Sequence, residues 1–310
     1  MILIWILVFI VSLAVLIMGA EWLLDSSQKF GLKAGLSPFI IGVTIVAFGT
    51  SLPELISALV ATFNGLPNFA VANAVGSNIA NILLVIGIAT LFTKRIQVTK
   101  DLINLDLPLL AISTTIFLLV AMDGKINFFE SLFLIAAYII YLGFTLIYKD
   151  ADEEDGKKDE VKIKPLDFMK LGAGIAGLYF GSKYLIDSVS AISVIYDISP
   201  GVIAITAVAL GTSLPEIVVS VKAAIRRQYE VALGNVFGSN IFNVLVVVGL
   251  PGVFRELALD SQTLSLGLPV LVASTILFVF TGISRKVHIQ EGALFLLLYV
   301  IFISKLFGLF

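Results

Sequence analysis

Cysteine is absent from the 310 residues, and histidine occurs once, at His288. Disulfide staples, thiolate nucleophiles and thiolate or imidazole metal cages are thereby excluded. A lone imidazole also leaves no partner set for nucleophile–base catalysis, so an enzyme is not expected. Charge is scarce as well: Asp, Glu, Lys and Arg make up 14% of the chain and leave a formal net charge of −2. What abounds is apolar, with 59% hydrophobic residues and a mean hydropathy of +1.06. No soluble domain of this length buries that much apolar surface, so the chain reads as an integral membrane protein.

Cutting the chain wherever polar residues interrupt apolar runs of about 20 residues predicts ten spans. They cover roughly 1–24, 38–63, 69–93, 103–121, 127–148, 166–187, 200–225, 231–253, 264–282 and 289–308. Met1 to Leu24 has no basic n-region and exceeds a signal-peptide core, so it is read as a retained span. Between spans five and six lies a charged segment, 149–165, opening Asp150-Ala151-Asp152-Glu153-Glu154-Asp155 and read as a solvated linker. Loops after odd-numbered spans hold Lys29, Lys33, Lys94, Arg95, Lys100, Lys149, Lys157, Lys158, Lys162, Lys164, Arg226, Arg227, Arg285 and Lys286, against Lys125 and Arg255 on the other side. The positive-inside rule puts both termini outside the cell membrane and the linker in the cytoplasm. His288 sits in the basic turn beside Arg285 and Lys286 and reads as part of that topology signal.

The chain repeats itself. Shifting it by 162 positions aligns 19–87 with 181–249 without a gap, and 27 of the 69 pairs are identical. The expected organisation is a first five-helix repeat over 1–148 (motif 42–87), the linker 149–165, and a second repeat over 166–310 (motif 204–249). Because each repeat has an odd number of spans, the two must lie inverted in the bilayer, a plan of secondary transporters with the site at the midplane. The fold class expected is all-α integral membrane, ten transmembrane helices in two inverted five-helix repeats, with broken helices at the midplane.

Within the repeat, Gly49-Thr50-Ser51-Leu52-Pro53-Glu54 recurs as Gly211-Thr212-Ser213-Leu214-Pro215-Glu216. A carboxylate at mid-membrane costs about 2.5–3.5 kcal/mol on insertion scales, so such residues are functional by default. Pro53 and Pro215 lack an amide hydrogen and crowd the carbonyls of Gly49 and Gly211, so both helices should break or kink there. Carbonyls of Ala47 to Thr50 and Ala209 to Thr212 would be freed, which is tolerated only along a cavity or inside protein. The next span of each half carries a polar stripe with a spacing of four, Asn73, Ser77, Asn81 and Asn235, Ser239, Asn243. Asn78 and Asn240 lie off the stripe and are placed to brace the broken segments. Hydrogen-bonded helix glue is the plain alternative for these groups.

Carboxylates, hydroxyls, amide oxygens and carbonyls form an all-oxygen donor set, which suits Ca²⁺ better than Mg²⁺ or Zn²⁺. Two carboxylates are neutralised by one Ca²⁺ or by two monovalent cations, so the two loads compete, and competition with alternating access gives exchange. Glu21 with Lys183, and Asp25 with Asp187, occupy equivalent positions near the ends of spans one and six and read as interfacial anchors.

The paired motifs resemble the α-repeats of the cation/Ca²⁺ exchanger superfamily, nearest to prokaryotic Na⁺/Ca²⁺ exchangers, over essentially the whole chain. The resemblance implies Glu54 and Glu216 as principal Ca²⁺ ligands with the carbonyls of Thr50 and Thr212. It implies Na⁺ positions at Ala47, Thr50, Ser51, Glu54, Ser77 and at Ala209, Thr212, Ser213, Glu216, Ser239, with Asn81 and Asn243 at the centre. Spans one and six are then expected to slide against the other eight. Asn243 stands where some relatives, including the K⁺-dependent branch, have Asp, which argues against K⁺ cotransport. Ca²⁺ and Na⁺ are thus the expected substrates, with no cofactor and no nucleic acid. An H⁺/Ca²⁺ exchanger is the alternative, and a cation channel the weaker rival.

Overall fold

The computed structural model describes residues 2–98, 106–149, 163–195, 211 and 213–309. Ten long helical rods account for nearly all of them: α1 Ile2–Lys33, α2 Pro38–Phe63, α3 Asn68–Thr93, α4 Leu107–Ala121, α5 Phe128–Lys149, α6 Pro165–Ile195, α7 Leu214–Ile225, α8 Tyr229–Phe254, α9 Thr263–Ile283 and α10 Ile289–Leu306. Each falls within one of the ten apolar runs or overlaps it closely. Linker residues 150–162 and the first part of the seventh run lie outside the described residues.

Local chemistry explains the helix ends. Ser37 accepts the Ile40 amide at 3.2 Å and Pro38 takes the first turn of α2, where its missing N–H costs nothing. At the other end of α2, Gly65 turns the chain with φ 84°. The equivalent corner after α7 is Arg227, which adopts φ 62° without glycine's freedom. Helices α1 and α6 run beyond their predicted ends, to Lys33 and Ile195. Hydropathy falls at Asp25 and Asp187, but neither residue breaks a helix, and α1 is fastened past the bilayer core by a Lys29–Asp167 ion pair of 2.5 Å to the first turn of α6.

The bundle is layered. The hydrophobic window of α8 is 94% buried and that of α1 only 17%. Helices α2, α3 and α8 therefore form the inside, while α1, α5, α9 and α10 face lipid. Glycines set the closest approaches. A Cβ on Gly42 would lie 2.6 Å from Val231 O, and one on Gly234 2.7 Å from Phe39 O, so α2 and α8 touch backbone to backbone. Gly19 and Gly174 do the same for α1 and α6, where a Cβ on Gly174 would meet Leu23 N at 2.8 Å.

Two short antiparallel ribbons express the inverted repeat. β1 (Arg95–Gln97) pairs with β4 (Lys286–His288), and β2 (Lys125–Ile126) pairs with β3 (Leu257–Ala258). Arg95 opposes His288 and Leu257 opposes Ile126. The shift of 162 carries the first of these pairs onto the second.

The expected breaks are realised unequally. In the second repeat Ser213 lies in a turn and α7 starts at Leu214 with Pro215 in its first turn. In the first repeat the helix continues through Pro53, so of the expected break or kink the break is not realised there. One absent hydrogen bond need not end a helix when neighbours hold it, and a wide π-helical stretch at Gly42–Val46 lies upstream in the same span. Two further π-helical stretches, Ala80–Val85 and Asn243–Val247, sit at matching places in α3 and α8, at Asn81 and Asn243.

Candidate ion-binding site

Glu54 on α2 and Glu216 on α7 have no solvent exposure, and the charge of one acts on the other. Ser51 Oγ, one turn before Glu54, reaches across the repeat boundary to lie 2.9 Å from Glu216 Oε1 and 2.9 Å from Ser239 Oγ on α8. Ser239 is itself 3.5 Å from the same carboxylate oxygen. Thr50 Oγ1 lies 3.2 Å from Ala47 O, 3.1 Å from Asn235 Oδ1 and 3.4 Å from Ser239 Oγ. The spacing of the two motifs thus delivers hydroxyls of one repeat to the carboxylate of the other.

Several oxygens here have no hydrogen-bond partner: both of Glu54, Oε2 of Glu216, Ser77 Oγ, Ser213 Oγ, and the side-chain oxygens of Asn81 and Asn243. All belong to residues buried to within 1% of complete. Leaving one neutral polar atom unpaired in an apolar interior costs about 1–3 kcal/mol, and a charge costs more. Among the described residues no Lys or Arg is buried that could answer the two carboxylates. Concentrating unanswered oxygens, with wide helical turns beside them, makes a receptacle for small hard cations. Asn81 and Asn243 lie in or at the start of the π-helical stretches of α3 and α8, buried and with unpartnered amides.

The structure brings together Glu54, Glu216, Thr50, Ser51 and Ser239, with Ala47 as a backbone acceptor. Ser77, Asn81, Ser213 and Asn243 are buried on the segments expected to carry them, and their side chains make no hydrogen bond to that group. Ala209 and Thr212 lie outside the described residues. Asn78 departs from its expected role: its Nδ2 donates at 2.9 Å to Asn240 O, so it joins α3 to α8 across the repeats and braces no broken segment. The reason is that α3 packs against the segment of α8 at Asn240, whose backbone carbonyl lies within reach of the amide.

Reading Glu21 and Asp25 as anchors misses a specific feature. Glu21 pairs with Lys222, and Asp25 with Arg226 at 2.7 Å, tying α1 to α7 on the basic side. The signal was available as two matched i, i+4 ladders of opposite charge. Lys183, the repeat equivalent of Glu21, instead lies 5.5 Å from the Tyr184 ring centroid. His288 caps α10, its amide bonded to Glu291 at 2.7 Å, in keeping with a structural turn.

An all-helical membrane protein built of two inverted repeats, with two carboxylates buried between them, is a secondary transporter for cations. Comparison places the chain within that class. The profile described as Sodium/calcium exchanger protein matches residues 4–147 and 168–308, and the chain belongs to this family. It is 30% identical to the sodium/calcium exchanger MaX1 of Methanosarcina acetivorans over 350 residues, covering 97% of this chain and 98% of the relative. It is 31% identical to the putative antiporter CaxA of Alkalimonas amylolytica over 303 residues, with 94% and 95% coverage. A solved structure of the sodium-calcium exchanger NCX_Mj, soaked with Na⁺ and Sr²⁺, superposes with a TM-score of 0.86 at 31% identity, covering 98% of this chain and 99% of that one. The protein is therefore a cation/Ca²⁺ exchanger of the membrane and not an enzyme.

Proposed function

We propose that the chain exchanges Na⁺ for Ca²⁺ through one site centred on Glu54 and Glu216. The observation that carries this reading is the pair of fully buried carboxylates, one of them bonded across the repeats to Ser51, with no buried Lys or Arg among the described residues. Ca²⁺ satisfies both carboxylates, and the neutral oxygens of Thr50, Thr212, Asn81 and Asn243 complete its shell. Na⁺ ions displace it by using the same carboxylates with Ser51, Ser77, Ser213, Ser239 and the backbone of Ala47 and Ala209. Both loads require the same oxygens, so binding is mutually exclusive and the two gradients are coupled. Asn243 in place of an acid keeps the site at two charges, which fits a divalent ion or two monovalent ones and provides no third anion for K⁺.

The repeats in this proposal are 1–148 and 166–310, joined by a cytoplasmic linker at 149–165, with both termini outside. Support comes from the asymmetric Lys and Arg distribution and from the two separate profile matches.

The test is ⁴⁵Ca²⁺ uptake into proteoliposomes loaded with Na⁺, with K⁺ alone, or carrying a pH gradient, at clamped voltage. Uptake should need an outward Na⁺ gradient. Uptake driven only by protons would move the protein to H⁺/Ca²⁺ exchange, and indifference to every counter-ion would make the flux channel-like.

A further inference from the structure

Alternating access in an inverted-repeat transporter moves one packed body against another around a fixed site. Helices α1 and α6 form such a body: Gly19 and Gly174 bring their backbones together, and the Lys29–Asp167 pair of 2.5 Å joins them further along. The body sits at the rim, with only 17% of the hydrophobic window of α1 buried. A charged ladder ties it to α7. Glu21 pairs with Lys222 and Asp25 with Arg226, both across 201 positions of sequence. Equal separations mean that α1 and α7 run parallel and that the two rungs are in register. Each helix places its charges four residues apart, about 6 Å along the axis. A slip of that length one way leaves Asp25 opposite Lys222 and sets Lys29 against Arg226, like charge against like. A slip the other way leaves Glu21 opposite Arg226 and carries Asp25 past the end of α7 at Ile225. The register in the structure satisfies both carboxylates, and either neighbouring one keeps a single pair.

We propose that this ladder is a register latch, holding α1 and α6 against α7 on the basic side and biasing the exchanger toward the state closed to the cytoplasm. This rests on the exchange by alternating access and on the orientation proposed above. The latch is one-sided. The shift of 162 maps Glu21 and Asp25 onto Lys183 and Asp187, but Lys222 and Arg226 onto Val60 and Asn64, which carry no charge. The matching ladder cannot form at the outer face, so the two facings of the inverted plan differ in energy. The rungs are partly open to solvent, with side-chain exposures from 21% to 48%, and each is worth little to folding. Their weight lies in the difference between two states, because a contact made in only one of them shifts the balance by its full worth.

The chain has no cysteine, so one introduced thiol reports alone. Ser27 is buried on α1, one turn before Gly31, whose face of the helix lies against Ile41 of α2. The test puts Ser27→Cys in the full chain and measures its rate of labelling by a small water-soluble methanethiosulfonate, which reaches it when α1 parts from α2. Lys222→Glu with Arg226→Glu should raise that rate about three- to tenfold, the scale of two exposed pairs lost. Adding Glu21→Lys and Asp25→Arg rebuilds both pairs with opposite sign and should return the rate to near its original value. Raising the ionic strength should speed labelling with the original ladder and slow it with the reversed one, since salt screens attraction in the first and repulsion in the second. Lys222→Gln with Arg226→Gln removes attraction without adding repulsion and should give a smaller rise. Unchanged labelling after reversal or neutralisation would overturn the latch. So would a rebuilt ladder that labels as fast as the reversed one, because loosened packing would then be the cause. Labelling reports opening whatever ion is carried, which separates the two levels. Flat labelling beside intact Na⁺-driven ⁴⁵Ca²⁺ uptake overturns the latch alone. Uptake that ignores Na⁺, with labelling still governed by the ladder, overturns exchange and leaves the latch supported.

Discussion

The two glutamates occupy equivalent positions in the repeat but not equivalent surroundings. Glu216 has Ser51 beside it at 2.9 Å, whereas neither oxygen of Glu54 has a partner. An unpaired buried carboxylate destabilises the fold when no cation is bound. Glu54→Gln should accordingly abolish Ca²⁺ transport and at the same time raise the melting temperature of the chelator-treated protein in detergent. Glu216→Gln should also abolish transport but raise the melting temperature less, because it gives up an acceptor that already has donors. A lower ion-free melting temperature for Glu54→Gln would contradict this account. Both glutamates were legible in the sequence, because a charge within a long apolar run is too costly to persist without a function. The hydrogen bond from Asn235 to Ser220 at 2.8 Å was not. Asn235 showed only as a member of a polar stripe, and Ser220 as one of many small polar residues. What joins them is the rotation of α7 against α8, which no local spacing encodes.

Among the elements, the spans and their turns followed from apolar run length, and the inverted plan from an odd number of spans per repeat. The helix extension to Lys33 was missed because hydropathy measures lipid contact rather than helicity. The sequence left break or kink open at Pro53, because one proline's effect depends on whether neighbouring helices hold the segment. The packing of the helices bears on two substitutions. Gly234→Val places a branched side chain where the backbone of α2 already lies, with Phe39 O 2.7 Å from the first added carbon. Overpacking of this kind costs about 1–3 kcal/mol, and it should appear as a lower melting temperature together with lost exchange. Arg227→Gly relieves a left-handed corner that the first repeat already fills with Gly65. It should stabilise the protein by roughly 0.5–1 kcal/mol, the conformational preference at issue, without changing Ca²⁺ affinity. The partly exposed Glu21–Lys222 and exposed Asp25–Arg226 pairs contribute little by comparison, since surface ion pairs are worth about 0–1 kcal/mol each.

For the whole molecule, the two ribbons on repeat-equivalent residues and the Asn78 to Asn240 bond make the halves mutually dependent. Cation binding at their junction should therefore stabilise the entire bundle. At free Ca²⁺ of about 100 times its dissociation constant the gain is about 2.7 kcal/mol, readable as a rise in melting temperature on adding Ca²⁺ that Glu54→Gln removes. The same junction limits what the protein can do when nothing is bound. With Glu54 and Glu216 buried and no Lys or Arg buried among the described residues, the unladen protein holds two acidic groups that cargo or protons must neutralise. Carrying bare charge through hydrocarbon is far costlier than carrying a neutralised pair. An empty return stroke with both carboxylates charged is thus the costly one, so under the exchange proposed above idle slippage should be slow.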